Sequence, residues 1–187
     1  KVLKRKVTIY GASRTDSGVH ARGQVANFWA EPSINPKKWA LILNTVLPPG
    51  IRITRSLEVP HTFHAQRVAT TKVYEYRILN RAHRSALDRR VGFFPQAIDW
   101  NLVREATKCF LGEHDFIAFQ GAGATRLSTV RKVERFDLFE EAPGLFRFEV
   151  EGNGFLKQMV RSMVGTVLDV GMGKKSLQEL PDIIRSG

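Results

Sequence analysis

Lys and Arg number 29 against 18 acidic residues in this 187-residue chain, a net charge of +11, while 43% of residues are hydrophobic and 25% charged. That length suits one good-sized domain or two small ones sharing a core, and the hydrophobic content is ordinary for a folded soluble protein. The charge excess points to a polyanion, RNA or DNA ahead of an anionic membrane surface; one cysteine, Cys109, excludes an internal disulfide and fits a reducing cytosol, and the absence of any apolar run of about 18 residues argues against a membrane-spanning helix.

In chain order, "KVTIYGAS" (6–13) and "GQVANFWA" (23–30) read as strands by their β-branched and alternating content. The segment Arg14-Thr15-Asp16-Ser17-Gly18 therefore lies in the loop between them. "NPKKWALILNTVLPPG" (35–50) reads as a helix, with Asn35 as cap, Pro36 at the first position and Pro48-Pro49-Gly50 as terminator. "IRITRSLEV" (51–59) reads as a further strand, and "PHTFHAQRVAT" (60–70) as a junction, the second half beginning near Phe63.

"TTKVYEYRILN" (70–80) is a strand whose period of two places Tyr74, Tyr76 and Ile78 on one face. "DWNLVREATKCFLG" (99–112) is an amphipathic helix capped by Asp99, with Cys109 as a small buried apolar residue. "VRKVERFDLFEEAPGLFRFEVEG" (130–152) is a hairpin turning at Glu141 to Gly144. "FLKQMVRSMVGTVLDVG" (155–171) is a helix with an apolar stripe of Leu156, Met159, Val160, Met163, Val164 and Val167. Gly171 is its expected end, and Arg161 falls outside the stripe near its border, which leaves a solvated helix arginine and one buried against the sheet both open. Helices alternate with short strands, but hairpins are present, so an α+β fold with a mainly antiparallel sheet is expected. Lys1 is no initiator, no secretory signal is read at the start, and "LPDIIRSG" stops just after a helical pattern; a fragment at both ends is expected.

The five histidines, His20, His61, His64, His83 and His114, show no metal-binding spacing. Gly121-Ala122-Gly123-Ala124 lacks the ending and the strand-to-helix setting of a phosphate loop, and reads as a mobile loop. Arg14 and Asp16 stand two positions apart, so in an extended segment they face the same side. Spacing alone leaves two readings open, a surface ion pair and a pair of functional groups.

"GASRTDSGVHARGQVANF" (11–28) resembles the signature of the tRNA pseudouridine synthase A (TruA) family, with Ser13 where glycine is usual. "FHAQRVATTKVYEYRI", "FLGEHDFIAF" and "FLKQMVRSMVG" are similar to three further family motifs, in the family's order. Gln66 stands where arginine is common, so no role is assigned there.

The resemblance implies a pseudouridine synthase fold, with two similar α+β halves on a mainly antiparallel sheet and a cleft between them. The division falls near residue 62, giving 1–62 and 63–187. It implies isomerisation of uridine in the tRNA anticodon stem-loop, with no cofactor, in a cytoplasmic homodimer. Asp16 would be the nucleophile, Arg14 would hold the flipped base out, Tyr74 would stack on it, and Arg161 would pair with Asp16 and keep it ionised. The residues do not choose among attack at the sugar, attack at the ring and glycal formation. Two rivals are a non-catalytic RNA-binding module and a glycosidase-type hydrolysis, which usually needs a second facing carboxylate. The family also has a strand and helix before the position of Lys1 and a strand after that of Gly187.

Overall fold

The computed structural model describes residues 5–30, 33–84, 86, 90–123 and 128–186. The chain divides into two compact units, Lys1–Thr70 and Thr71–Gly187.

In the first unit, β1 (Ile9–Gly11) and β2 (Ala26–Phe28) pair antiparallel, Ile9 opposite Phe28 and Gly11 opposite Ala26. A 3-10 turn (Pro36–Lys38) runs into α1 (Trp39–Asn44), and the Asn35 side chain accepts the Lys37 N–H at 2.9 Å, as its capping role requires. The helix stops before the Pro48-Pro49 terminator. The chain tightens instead, the Val46 N–H returning three residues to the Leu43 carbonyl at 3.1 Å.

The expected strand at 51–59 is absent. At its middle a side chain stands in for a ladder: Asn44 of α1 both donates to the Ile53 carbonyl, at 2.9 Å, and accepts the Ile53 N–H, at 2.8 Å. The Ser56 hydroxyl accepts the Ala40 N–H and donates to the Pro36 carbonyl. Extended, β-branched sequence becomes a strand only beside another strand, and here a side-chain amide fills that role. A short helix, α2 (Ala65–Val68), occupies the junction. Among the described residues of this unit, Trp39 and Ala65 are the buried ones, while Ile9 is 68% and Leu41 71% exposed.

The second unit holds a five-stranded sheet ordered β4-β3-β7-β6-β5, with β3 (Lys72–Leu79), β4 (Gly92–Phe93), β5 (Gly112–Asp115), β6 (Val130–Ala142) and β7 (Leu145–Gly152). Only β4 runs parallel to its neighbour; the other pairings are antiparallel, as the alternating patterns require. The β6–β7 turn is Pro143-Gly144, with Gly144 at φ 72°. A Cβ there would lie 2.7 Å from the Asn80 carbonyl, so glycine is needed for space as well as for conformation.

Helices α3 (Trp100–Lys108) and α4 (Met159–Gly171) pack on one sheet face, with α5 (Leu180–Arg185) beside them. Phe110, Phe116, Phe148, Met159, Met163 and Leu168 fill the core, each burial worth roughly 1.5–3 kcal/mol. Asp99 caps α3 by accepting the Asn101 and Leu102 N–H groups. Cys109 is partly buried against the core, where burial raises its thiol pKa.

α4 ends at Gly171 as expected, though Gly171 is not its left-handed cap. It is the last helical residue, and a Cβ would strike Val103 Cγ2 at 2.5 Å, so it allows α3 and α4 to approach. Gly173, at φ 70°, provides the left-handed residue. The Gly173 N–H bonds the Val170 carbonyl and the Lys174 N–H the Asp169 carbonyl, the paired bonds of a Schellman stop. Among the described residues no helix is long and apolar enough to cross a membrane.

Candidate active site

The loop from Ala12 to Val25 joins β1 to β2 and carries Arg14 and Asp16, both exposed. Among the described residues no ion pair joins them. The Val19 N–H closes a turn onto the Asp16 carbonyl at 3.0 Å, with Gly18 at φ 81° in its third position. A type II turn demands that conformation, which is why glycine follows the aspartate at this spacing. Ser13, the departure from the usual glycine, donates its hydroxyl to the Arg14 carbonyl at 3.3 Å.

Side-chain amides brace the base of this loop. Gln24 Nε2 donates to the Ser13 carbonyl at 2.8 Å. Asn27 on β2 accepts the Ala65 N–H at 2.8 Å and donates to the Phe63 carbonyl at 3.4 Å. The His64 ring lies 4.8 Å from that of Tyr10 on β1. The Phe63-His64-Ala65 segment is thereby clasped to the hairpin that presents Asp16.

In the second unit, Tyr74 lies on β3, half-buried, its ring edge-on to Phe155 at 5.1 Å. Tyr76 shares its face and also packs on the core. Phe155 belongs to the segment leading into α4, so this unit brings Tyr74 beside the start of the helix that carries Arg161. Arg161 sits in the first turn of α4 and is exposed, not buried against the sheet; the apolar stripe takes the inward positions and turns it outward. Within its own unit it has no ion-pair partner among the described residues.

The residue ahead of α4, Gln158, has φ 60°, the one non-glycine in the left-handed region among the described residues. Gly121 faces its side chain, the Gly121 N–H bonds the Lys157 carbonyl, and Lys157 Nζ donates to the Ala122 carbonyl at 2.9 Å. Gly121 and Ala122 are thus docked on the start of α4, while Ala124 of the loop read from sequence lies outside the described residues.

Electrostatics separates the two faces of the large sheet. Opposite the core, Arg77, Arg135 and Arg147 interleave with Asp137, Glu141, Glu149 and Glu151. Three arginines meet four carboxylates, so this face has no positive excess to offer a polyanion. Arg147 also lies over the Phe139 ring, 4.4 Å from its centre. The charge that makes the chain basic is carried elsewhere, on residues such as Arg14, Arg161 and Lys157.

Sequence reasoning missed Gln24, Asn27 and His64. All three stand inside the quoted motifs, but their partners are a backbone carbonyl, a remote segment and a ring on β1, none of which has a sequence pattern.

Residues 106–187 match the tRNA pseudouridine synthase family. The chain is 42% identical over 185 residues to the tRNA pseudouridine synthase A of Ruminiclostridium cellulolyticum, covering 98% of this chain and 76% of that protein. It is 44% identical to the tRNA pseudouridine synthase A 2 of Clostridium perfringens, covering 100% and 77%. With the protein named tRNA pseudouridine synthase A from Geobacter sp. strain M21 it shares 38%, covering 98% and 74%. The chain belongs to the tRNA pseudouridine synthase A family.

Proposed function

We infer that this chain isomerises uridine to pseudouridine in tRNA, with Asp16 as the nucleophile. The observation that carries the reading is the intact Arg14-Thr15-Asp16 loop, held on a braced hairpin, in a chain similar to these synthases over nearly its whole length.

The reaction breaks the bond from ribose C1′ to uracil N1 and joins C1′ to C5. C5 gives up its proton and N1 gains one, so the product has the atoms of the substrate and no redox partner is needed. A carboxylate supplies the nucleophile that such a transfer requires. A stacked base is out of reach, so the uridine must first leave the stack. Arg14, exposed on the loop, fills the vacated place with a planar guanidinium that stacks and donates hydrogen bonds together. Tyr74 stacks on the flipped base. Arg161 is assigned as the counter-ion of Asp16, its positive charge favouring the carboxylate form. The N-terminal half contributes Asp16 and Arg14, and the C-terminal half Tyr74 and Arg161. We place the target in the anticodon stem-loop and the active species as a homodimer, both from the family resemblance.

The test is to incubate the protein with unmodified tRNA transcript, digest to nucleosides and separate them. Pseudouridine without free uracil supports the reading. Free uracil would mean hydrolysis at the sugar, and unchanged RNA that is nevertheless bound would mean a binding module.

A further inference from the structure

The β1–β2 ladder ends in a backbone bond, from the Ala12 N–H to the Val25 carbonyl at 2.8 Å. One residue further out on both strands the next bond is made by a side chain. Gln24 Nε2 donates to the Ser13 carbonyl at 2.8 Å, eleven positions away. That carbonyl shares a rigid peptide plane with the Arg14 N–H. Holding its oxygen therefore fixes the direction in which the chain leaves the hairpin toward Arg14 and Asp16. On the far side, the Val19 N–H anchors the Asp16 carbonyl. Arg14 and Asp16 are thus suspended between two anchored peptide planes, one of them held by Gln24.

We propose that Gln24 is a positioning residue, whose amide N–H, acting through the Ser13 carbonyl, orients Arg14 and Asp16 for the isomerisation. The inference rests on the reading of Asp16 as the nucleophile. Gln24 is exposed, so no core depends on it, and its amide turns back to the backbone. A displacement of about 1 Å at a reacting group can lower a rate by about 100-fold.

Three variants separate donation from packing. Gln24→Met keeps the length and loses the donor. Gln24→Glu keeps the shape and sets a carboxylate against a carbonyl. Gln24→Lys restores an N–H at similar reach. Single-turnover rates, tRNA Kd and melting temperature are measured for each, with Asp16→Ala in the same assay. The expected result is a rate about 10- to 100-fold lower for Met and Glu, with Kd and melting temperature at the parent's values and the rate recovered in part by Lys. A parental rate in Gln24→Met, or a loss that Lys does not relieve, overturns the proposal while an inert Asp16→Ala leaves the reading of Asp16 standing. A parental rate in Asp16→Ala overturns both.

Discussion

Asn27 Oδ1 accepts the main-chain N–H of Ala65 at 2.8 Å, bridging 38 positions of the chain, and Ala65 is 1% exposed. With the bond from Asn27 Nδ2 to the Phe63 carbonyl, one side chain ties the segment before α2 to the hairpin that bears Asp16. Replacing it leaves a buried donor without a partner, a loss of about 1–3 kcal/mol. Asn27→Leu should therefore lower the urea midpoint, whereas Asn27→Asp, which retains the acceptor for Ala65, should lose less. Equal losses in both would deny the acceptor role.

Glycine positions 18 and 144 both have positive φ, but their surroundings differ. Nothing lies within 4 Å of a Cβ built at Gly18, while one at Gly144 meets the Asn80 carbonyl at 2.7 Å. Gly18→Ala should cost about 1–2 kcal/mol of left-handed strain. Gly144→Ala adds a backbone clash to the same strain and should melt clearly lower. Thermal melts of the two variants compare them directly.

A pH effect follows from Glu141. Burial pushes its carboxyl pKa up, but hydrogen bonds and charge from Arg77 and Arg147 outweigh burial and hold it below its ordinary 4.5. A depressed carboxylate stabilises the fold above its unfolded value and loses that contribution as pH falls through the folded one. Glu141→Gln should be less stable than the parent at pH 7, with the gap narrowing toward about pH 3. Urea unfolding at both pH values measures it, and a constant gap would contradict the assignment.

Arg135 bonds Glu149 and Glu151 on the sheet face away from the core. Because that face has no positive excess, Arg135→Gln should weaken the fold yet leave tRNA affinity and its salt slope as they were. A slope reduced by about 1 would instead place a phosphate there.

Amide exchange should divide the chain. The first unit buries two described residues and the second a contiguous core, so β1 and β2 should exchange well before β3, β6 and β7.

The second unit was largely legible in the sequence. Alternation fixed the inward face of β3, the run from Glu141 to Gly144 marked the hairpin, and the stripe from Leu156 to Val167 marked α4, because each signal is local. The same β-branched cues misled at 51–59, where Asn44 takes both Ile53 backbone groups, Ser56 ties its hydroxyl to Pro36 and Ala40, and no partner strand lies alongside among the described residues. The short strands β4 and β5 have too few residues to show a period. At the site, the type II turn makes sense of Gly18 after Asp16, which the motif presented only as spacing. The braces by Gln24 and Asn27 stayed hidden because a side-chain bond to a distant backbone group imposes no repeat. Nearness to the apolar stripe leaves Arg161 open to either burial or solvent, and one helical position is enough to turn it outward.

The central claim, that Asp16 performs the isomerisation, is tested most directly by tritium release from tRNA labelled at uracil C5, comparing the parent chain with Asp16→Ala. C5 must shed its hydrogen when it bonds to C1′, so release by the parent and none by a folded, tRNA-binding Asp16→Ala is the predicted result. Release by Asp16→Ala at the parent's rate would contradict it.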